Sequence, residues 1–580
     1  MTVSYLNKTV AADAGQTMTM TRKRVTDLSS QGEPFLWALG GALAFGCIMI
    51  VGFLVMVLWN GLSTFYPKSI AAVTLTNGEV IAGEPSRVER YKLAPDIAEQ
   101  LPPKARAMVA ADDGFALRTL YRTGNFDLYG DDFRWVPEHN VAKREYPNGL
   151  YFAERVEWGV FIGRIQGFEA GGAKKEAGNF AESEMRAAHA EARDRFHRIR
   201  NIEKDEIGTI NHYLNKERLG LRGIELRNGI ASPEYAAANE KFNARAQELQ
   251  IRYDELAAEA KALRAEDAAQ RVYLADIGGR EKVLPLSTIV RLYAANDIGF
   301  FQKIGVYLSR WAEFLTEEPR EANTEGGVLP AIFGTFAMTV LLVVAVAPFG
   351  VITALYLREY AKQGRTVAIV RIAVNNLAGV PSIVYGVFGL GFFAYILGGG
   401  IDRLFFSENL PNPTFGTGGL LWASLTLALL TVPVVIVATE EALAAVPRSM
   451  REGSLACGAS KWQTITRIVL PRGMPGIMTG IILAMARGAG EVAPLMLVGV
   501  VKLAPELPVD GFFPFIHLER SFMHLGFHIF DVGFQSRNSE AGKPMVFVTT
   551  MLLICLIAAM NLAAIVIRNR MKRKFKGSQF

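Results

Sequence analysis

Six stretches of this 580-residue chain are each long and apolar enough to cross a lipid bilayer, which takes about 20 residues of α-helix. They cover residues 35–58, 329–357, 374–397, 420–438, 477–500 and 546–567. Lipid offers no hydrogen bonds to the backbone, so segments of this kind must be helices that satisfy their own N–H and C=O groups. The first stretch is too long, and starts too far from the N-terminus, to be a signal peptide. The expected fold class is therefore an α-helical membrane protein with six transmembrane helices.

The charge pattern orients these helices. Half the residues are hydrophobic, yet 20 % are charged, and the Lys and Arg residues cluster in alternate loops. Arg22-Lys23-Arg24 precede the first span. Arg358, Lys362, Arg365 and Arg371 fall between spans two and three, and Arg448, Arg451, Lys461, Arg467 and Arg472 between spans four and five. A basic tail, 568–580, follows the last span, while the loops near Asp402 and at 505–543 show no such excess. Short basic loops stay in the cytoplasm, so both termini and the loop 439–474 are expected there. The formal charge of +6 partly reflects this bias and does not point to nucleic acid. The C-terminal basic run reads as a topology anchor against acidic lipid.

Residues 63–327 separate the first two spans and are long enough to form a domain. The three cysteines, Cys47, Cys457 and Cys555, all fall outside this insert, so it must fold without disulfides. No Cys or His spacing suggests a zinc site. The part from 70 to 170 reads as β-rich. Val73-Thr-Leu-Thr-Asn-Gly-Glu-Val-Ile81 carries the Asn-Gly pair of a tight hairpin between alternating apolar residues. Gly149-Leu-Tyr-Phe-Ala and Trp158-Gly-Val-Phe-Ile-Gly-Arg-Ile read as further strands. A helical pattern then covers 179–270. Phe196, Ile199, Ile207, Ile210 and Leu214 share one face up to about Arg218, Asn228-Gly229 breaks the pattern, and Ser232-Pro233-Glu234 starts a second helix. There Phe242, Leu249, Leu256 and Leu263 recur every seven residues, with Ala246, Tyr253 and Ala260 between them, a coiled-coil pattern. An antiparallel helical hairpin is expected, as a structural arm or as a docking arm. A final amphipathic helix, 297–316, carries Phe301, Ile304, Leu308, Trp311 and Phe314, and is expected along the outer membrane surface or as a plain core helix.

Candidate pathway residues lie in the spans. Arg487 and Glu491 stand four apart in the fifth apolar stretch, so they share a helix face. A central Arg or Asp in a membrane helix costs roughly 2.5–3.5 kcal/mol on insertion scales. Such residues either line a polar route or lock helices as an ion pair. Gly488, Gly490 and Pro494 suggest close packing or a locally broken helix. Asn375, Asn376 and Ser382, around Gly379-Val-Pro381, either line the same route or mark a kink. There is no catalytic constellation and no metal-ligand set.

The loop between spans four and five reads as a short helix, a glycine turn at Gly458, and a second helix with Trp462, Ile465, Ile468 and Val469 on one side. An exposed element of this kind can seat in a groove on a soluble partner; a cap on the two spans is the alternative. Glu452, Gly458, Ala459, Ile468, Leu470 and Pro471 resemble the EAA loop of ABC importer permeases, with Gly453-Ser454 in place of its two alanines. Gly326-Gly-Val-Leu-Pro-Ala-Ile-Phe-Gly-Thr335, Leu377-Ala-Gly-Val-Pro-Ser-Ile-Val-Tyr-Gly386, Ala486-Arg-Gly-Ala-Gly-Glu-Val-Ala-Pro-Leu495 and Phe522-Met-His-Leu-Gly-Phe-His528 narrow the resemblance to the PstA family of phosphate-specific transport permeases, in its large-insert subgroup.

The resemblance implies a type I ABC importer permease core, 328–567, in a bacterial inner membrane, carrying a periplasmic insert. It implies phosphate import, with Arg487 on the pathway and Glu491 beside it. It also implies four kinds of partner: a PstC-like second permease, a PstB-like ATPase dimer that binds ATP and Mg and touches the EAA loop, a PstS-like phosphate-binding protein, and phosphate-signalling regulators. The chain has no Gly-x-x-x-x-Gly-Lys-Ser/Thr run and so is not expected to hydrolyse ATP. Sulfate or molybdate transport is an alternative within the class. A membrane-anchored interaction protein working through its helical arm is an alternative outside it.

Overall fold

The computed structural model describes residues 34–170, 173–504, 506–536 and 539–576. The basic triplet Arg22-Lys23-Arg24 and the last four residues of the tail lie outside them. Among the described residues, six helices have the length and hydropathy to cross a membrane: Trp37–Ser63, Leu329–Tyr360, Ser382–Phe405, Leu420–Ala444, Lys461–Gly490 and Ser539–Arg573. Six crossings place the insert, residues 406–419 and residues 491–538 on one side.

Two sequence-based boundaries need correction. The third span begins at Ser382, not at 374, because Arg365–Leu377 is a separate helix. Gly379 and Pro381 intervene, and a residue before proline is pushed out of the helical region. The fifth helix stops at Gly490 instead of running to 500.

Span four is the hub. Ala423, Leu427, Leu430 and Val435 pack with Met338, Leu342 and Val346 of span two and Ala484 of span five in one buried cluster. Close approach depends on small residues. A Cβ on Gly476 or Gly480 of span five would lie 2.5 Å from the Cβ of Ala442 or Ala438 on span four. This Gly-x-x-x-Gly ridge lets the backbones touch, and dispersion contacts then hold helices that share an apolar solvent. The buried hydroxyls of Thr335, Thr339, Ser424, Thr426 and Thr431 donate to carbonyls one turn back, which removes the cost of an unpaired polar group.

The insert has two antiparallel sheets. Strands β1 (Ala71–Leu75), β2 (Val80–Lys92), β3 (Phe115–Arg122), β4 (Phe133–Pro137) and β5 (Val141–Glu145) form the first, in the order β4-β3-β2-β1-β5. Its first hairpin forms where expected, with Val73 opposite Ile81 and residues 76–78 as the loop. Gly78 takes φ +84° and Asn77 Oδ1 accepts the Glu79 N–H at 3.0 Å. Strands β6 (Tyr151–Arg155), β7 (Val160–Ala170), β8 (Ala173–Glu176), β9 (Arg271–Ala275), β10 (Glu281–Pro285) and β11 (Ile289–Ala294) form the second, ordered β10-β9-β7-β6-β11 with β8 on β7.

The helical arm is an excursion between β8 and β9. It rises through Glu182–Asn201, a π-turn at Ile202–Glu206, and Ile207–Asn228, ten residues past the expected end. It returns through Pro233–Ala268, whose first turn is capped by Ser232 Oγ accepting from Tyr235 N–H at 3.1 Å. Met185, Ala188 and Ala192 root it against Phe161, Phe168 and Leu274 of the sheet. Ile202, Ile210, Leu249, Leu256 and Ala260 join its two legs. Tyr253, expected in that seam, is exposed.

The rising leg also rests on the core. His212 stacks on Phe512 with ring centroids 3.9 Å apart. Arg218 and Arg222 line a crevice with Asn409 and Pro411.

A buried ion ladder ties the second sheet to the helix Phe300–Thr316. Glu154 of β6 accepts from Arg291 of β11 at 2.5 Å and from Arg310 of that helix at 2.6 Å. Glu313 pairs with Arg291 and Arg320. The helix itself is of mixed character. Phe314 is buried and Trp311 meets Phe65 edge-on, whereas Phe300, Phe301 and Leu308 face outward.

Candidate functional site: a coupling knob and a broken pathway helix

The loop between spans four and five folds as a knob. Pro447 precedes the helix Arg448–Ala456, and Gly458 turns the chain at φ +82°. No atom lies within 4 Å of a Cβ built there, so conformation rather than space requires glycine. Ser460 and Gln463 then form a reciprocal capping box, at 3.2 and 2.8 Å, which starts the helix Lys461–Thr464. A π-turn, Ile465–Val469, carries this helix straight into Leu470–Gly490.

The underside of the knob is fastened. Arg451 pairs with Glu359 at 3.0 Å and donates to the carbonyls of Val446 and Leu443, each at 2.7 Å. Ser454 Oγ and Thr464 Oγ1 lie 2.9 Å apart, and Val469 packs on Leu443 and Val446. The top is open. Glu452, Gly458 and Lys461 are exposed there, with Leu455 at 49 % and Trp462 at 61 %. Trp462 therefore does not join Ile465 and Val469 on the buried side, as its spacing suggested; like Leu455, it is exposed. Ala459, Ile468, Leu470 and Pro471 are half-buried and frame the knob.

The pathway candidates divide. Arg487 sits in the last helical turn of span five. Glu491 caps that helix with extended backbone, φ −79° and ψ 132°, so the two do not share a helix face as their spacing suggested. They still pair, Nε to Oε1, at 3.7 Å. Neither is buried: their side chains are 38 % and 24 % exposed. The helix ends where packing is tight, since a Cβ on Gly488 would lie 2.3 Å from Leu342.

The start of span three meets this break. A Cβ on Gly386 would lie 2.7 Å from Pro494 Cα, and Tyr385, beside it, donates to the Leu377 carbonyl at 2.6 Å. Ser382 opens that helix. Asn375 and Asn376 are exposed on the preceding helix rather than in the span.

Residues 346–573 match the family described as binding-protein-dependent transport system inner membrane component. The chain is 36 % identical over 204 residues to the probable ABC transporter permease protein YqgH of Bacillus subtilis, covering 34 % of this chain and 62 % of YqgH. It is 36 % identical over 244 residues to the phosphate transport system permease protein PstA 1 of Mycobacterium tuberculosis, covering 42 % of this chain and 70 % of that protein. With PstA of Mycobacterium leprae it shares 41 % over 175 residues, 30 % of this chain and 52 % of the relative. The chain belongs to the binding-protein-dependent transport permeases.

This permease also has a polar cluster beside the helix break that spacing did not reveal. Asp531, buried, accepts from Asn323 at 2.9 Å and faces Lys502 at 3.2 Å. His524 and His528 are buried nearby, and burial pushes both imidazoles down to about 4, so they are neutral at pH 7. His524 Nδ1 accepts from Gly526 N–H, and Leu525 N–H donates to Thr335 Oγ1 of span two. The run Phe522–His528 stood out in the sequence by resemblance only. Its partners come from 190 residues away, beyond the reach of local pattern.

Proposed function

We propose that this chain is the permease subunit of an ATP-driven importer of inorganic phosphate, forming half of the pathway and receiving force from a separate ATPase. The observation that carries this reading is the 36 % identity over 244 residues to a phosphate transport permease. The knob suits the coupling role. Its Glu452, Leu455 and Trp462 offer one charge and two apolar anchors, a pattern that fits a groove. Because the second knob helix runs unbroken into span five, a pull at Trp462 moves the helix that carries Arg487. Arg487 offers a planar fork of donors suited to phosphate oxygens, and Glu491 holds it in place. No bond is made or broken in such a chain. A second, PstC-like permease, two ATPase copies and an external phosphate-binding protein complete the assembly, with both termini cytoplasmic, the insert periplasmic, and Phe301 and Leu308 on the outer membrane surface.

The test is uptake of labelled phosphate in membranes holding the full complex. Arg487→Gln is expected to lower uptake about tenfold, equivalent to about 1.4 kcal/mol, with assembly intact and no matching loss for sulfate. Normal uptake with normal assembly would refute the pathway role. At the knob, the pair Leu455→Ala and Trp462→Ala should weaken co-purification of the ATPase at least tenfold, since central aromatic anchors each contribute about 2 kcal/mol or more. An ATPase retained at the wild-type level would show that the knob is only a cap.

A further inference from the structure

Where the insert meets the ends of spans one and six there is a cavity of about 460 Å³ that the transport reading leaves unused. This size suits a small ligand. Lys68, Arg87, Arg122, Arg291, Arg310 and Arg320 of the insert and Lys543 of span six line it. Five carboxylates face these seven cations: Glu84, Glu154, Glu313, Glu325 and Glu540. Two positive charges are thus in excess.

The excess lies on the exposed side of the cavity, where Lys68 stands and Arg87 and Lys543 share Glu540. Arg291, Arg310 and Arg320 pair with Glu154 and Glu313, with Glu84 acting on Arg310 and Arg122, and the five paired side chains are 10–18 % exposed. The ladder is internally paired. Burial alone would raise the Glu154 carboxyl, but Arg310 and Arg291 outweigh it and hold the group down to about 2. Two guanidinium nitrogens, Nε of Arg122 and Nε of Arg320, are buried without a hydrogen-bond partner among the described residues. Beside the cations, the cavity is bounded by Pro544, Met545 and Phe547 at the start of span six.

We propose that this cavity is a site for a phosphate-class anion, supplied as an anionic phospholipid headgroup or as free inorganic phosphate. The surplus cations, with Arg122 and Arg320 on the lining, recognise phosphate oxygens, as arginine forks do. A lipid would lay its acyl chains along Met545 and Phe547. Either ligand would clamp the insert to the membrane core, which already meet through the 3.2 Å pair Arg87–Glu540.

The test uses the delipidated full chain carrying Arg487→Gln, so that the transport pathway does not contribute. Labelled phosphatidylglycerol, phosphatidylcholine and inorganic phosphate are titrated separately. One phosphatidylglycerol per chain, with phosphatidylcholine excluded, identifies the lipid; one inorganic phosphate without lipid preference identifies the free anion. In either case Arg122→Gln and Arg320→Gln should each weaken binding about tenfold. Should those variants fail to fold, the double variant Lys68→Gln, Lys543→Gln leaves the buried ladder intact and should weaken binding about threefold. Absence of stoichiometric binding of either anion overturns the proposal, as does binding that the folded variants leave unchanged.

Discussion

Replacing Glu154 by alanine is expected to destabilise the insert by about 3–5 kcal/mol, the range for breaking a buried ion pair from one side. Glu154 is 8 % exposed and is the shared acceptor of Arg291 and Arg310. Without it, Arg310 loses its ion-pair partner, and Arg291 and Arg320 share Glu313. Hydrogen exchange of β6, β11 and the helix Phe300–Thr316 in the full chain reads the effect directly. Protection within 1 kcal/mol of wild type would show that the ladder contributes little.

The same residue sets a pH dependence. Its folded carboxyl is held at about 2, below its ordinary 4.5. A depressed carboxyl contributes stability above the unfolded value and loses it as pH falls through the folded one. The Glu154 contribution should therefore be unchanged between pH 7 and 5, then fall by about 3 kcal/mol between pH 4.5 and 2. In Glu154→Ala that acid-sensitive component should vanish.

Gly334→Val is expected to cost about 3 kcal/mol, the upper end for forcing extra atoms into a packed core. A Cβ at Gly334 would lie 2.1 Å from the Met523 carbonyl oxygen and 3.0 Å from the Phe522 ring. The first contact is backbone, which no rotamer change relieves. The strain would displace the segment that seats Leu525 on Thr335 and holds His524 near the end of span five. Thermal unfolding of the purified chain, followed by loss of its monodisperse peak, should shift down by several degrees, and uptake should fall with it. An unchanged transition would mean that span two can slide at no cost.

What the sequence disclosed was local. Apolar runs of bilayer length located six helices, because hydropathy is summed over neighbours. Asn77-Gly78 predicted a hairpin, because only such residues adopt the turn without strain. Ser232-Pro233 marked a helix start, and Gly458 the turn of the knob. The misses required tertiary information. Hydropathy cannot separate a helix end from continuing apolar chain, so residues 491–500 were assigned to span five. Four-residue spacing suggested one face for Arg487 and Glu491, but Glu491 lies just past the helix end. β6 pairs with β11 across about 140 residues of chain, so neither the second sheet nor the Glu154 ladder could be read from spacing. Trp462 looked like one of several apolar side chains; only packing shows that its neighbours Ile465 and Val469 turn inward while it does not.

The arm, rooted on the second sheet near Ala192 and propped at His212 against Phe512, is a lever. From root to the core contact at Arg222 is about 45 Å of helix, and from there to Asn228 about 9 Å more. For a rigid rod, a displacement of about 2 Å in the core loop at Asn409 tilts the arm by about 2.5° and carries its free end roughly 2.4 Å. Motions of the core loops are thus passed along the arm to its outer end, where they arrive slightly enlarged.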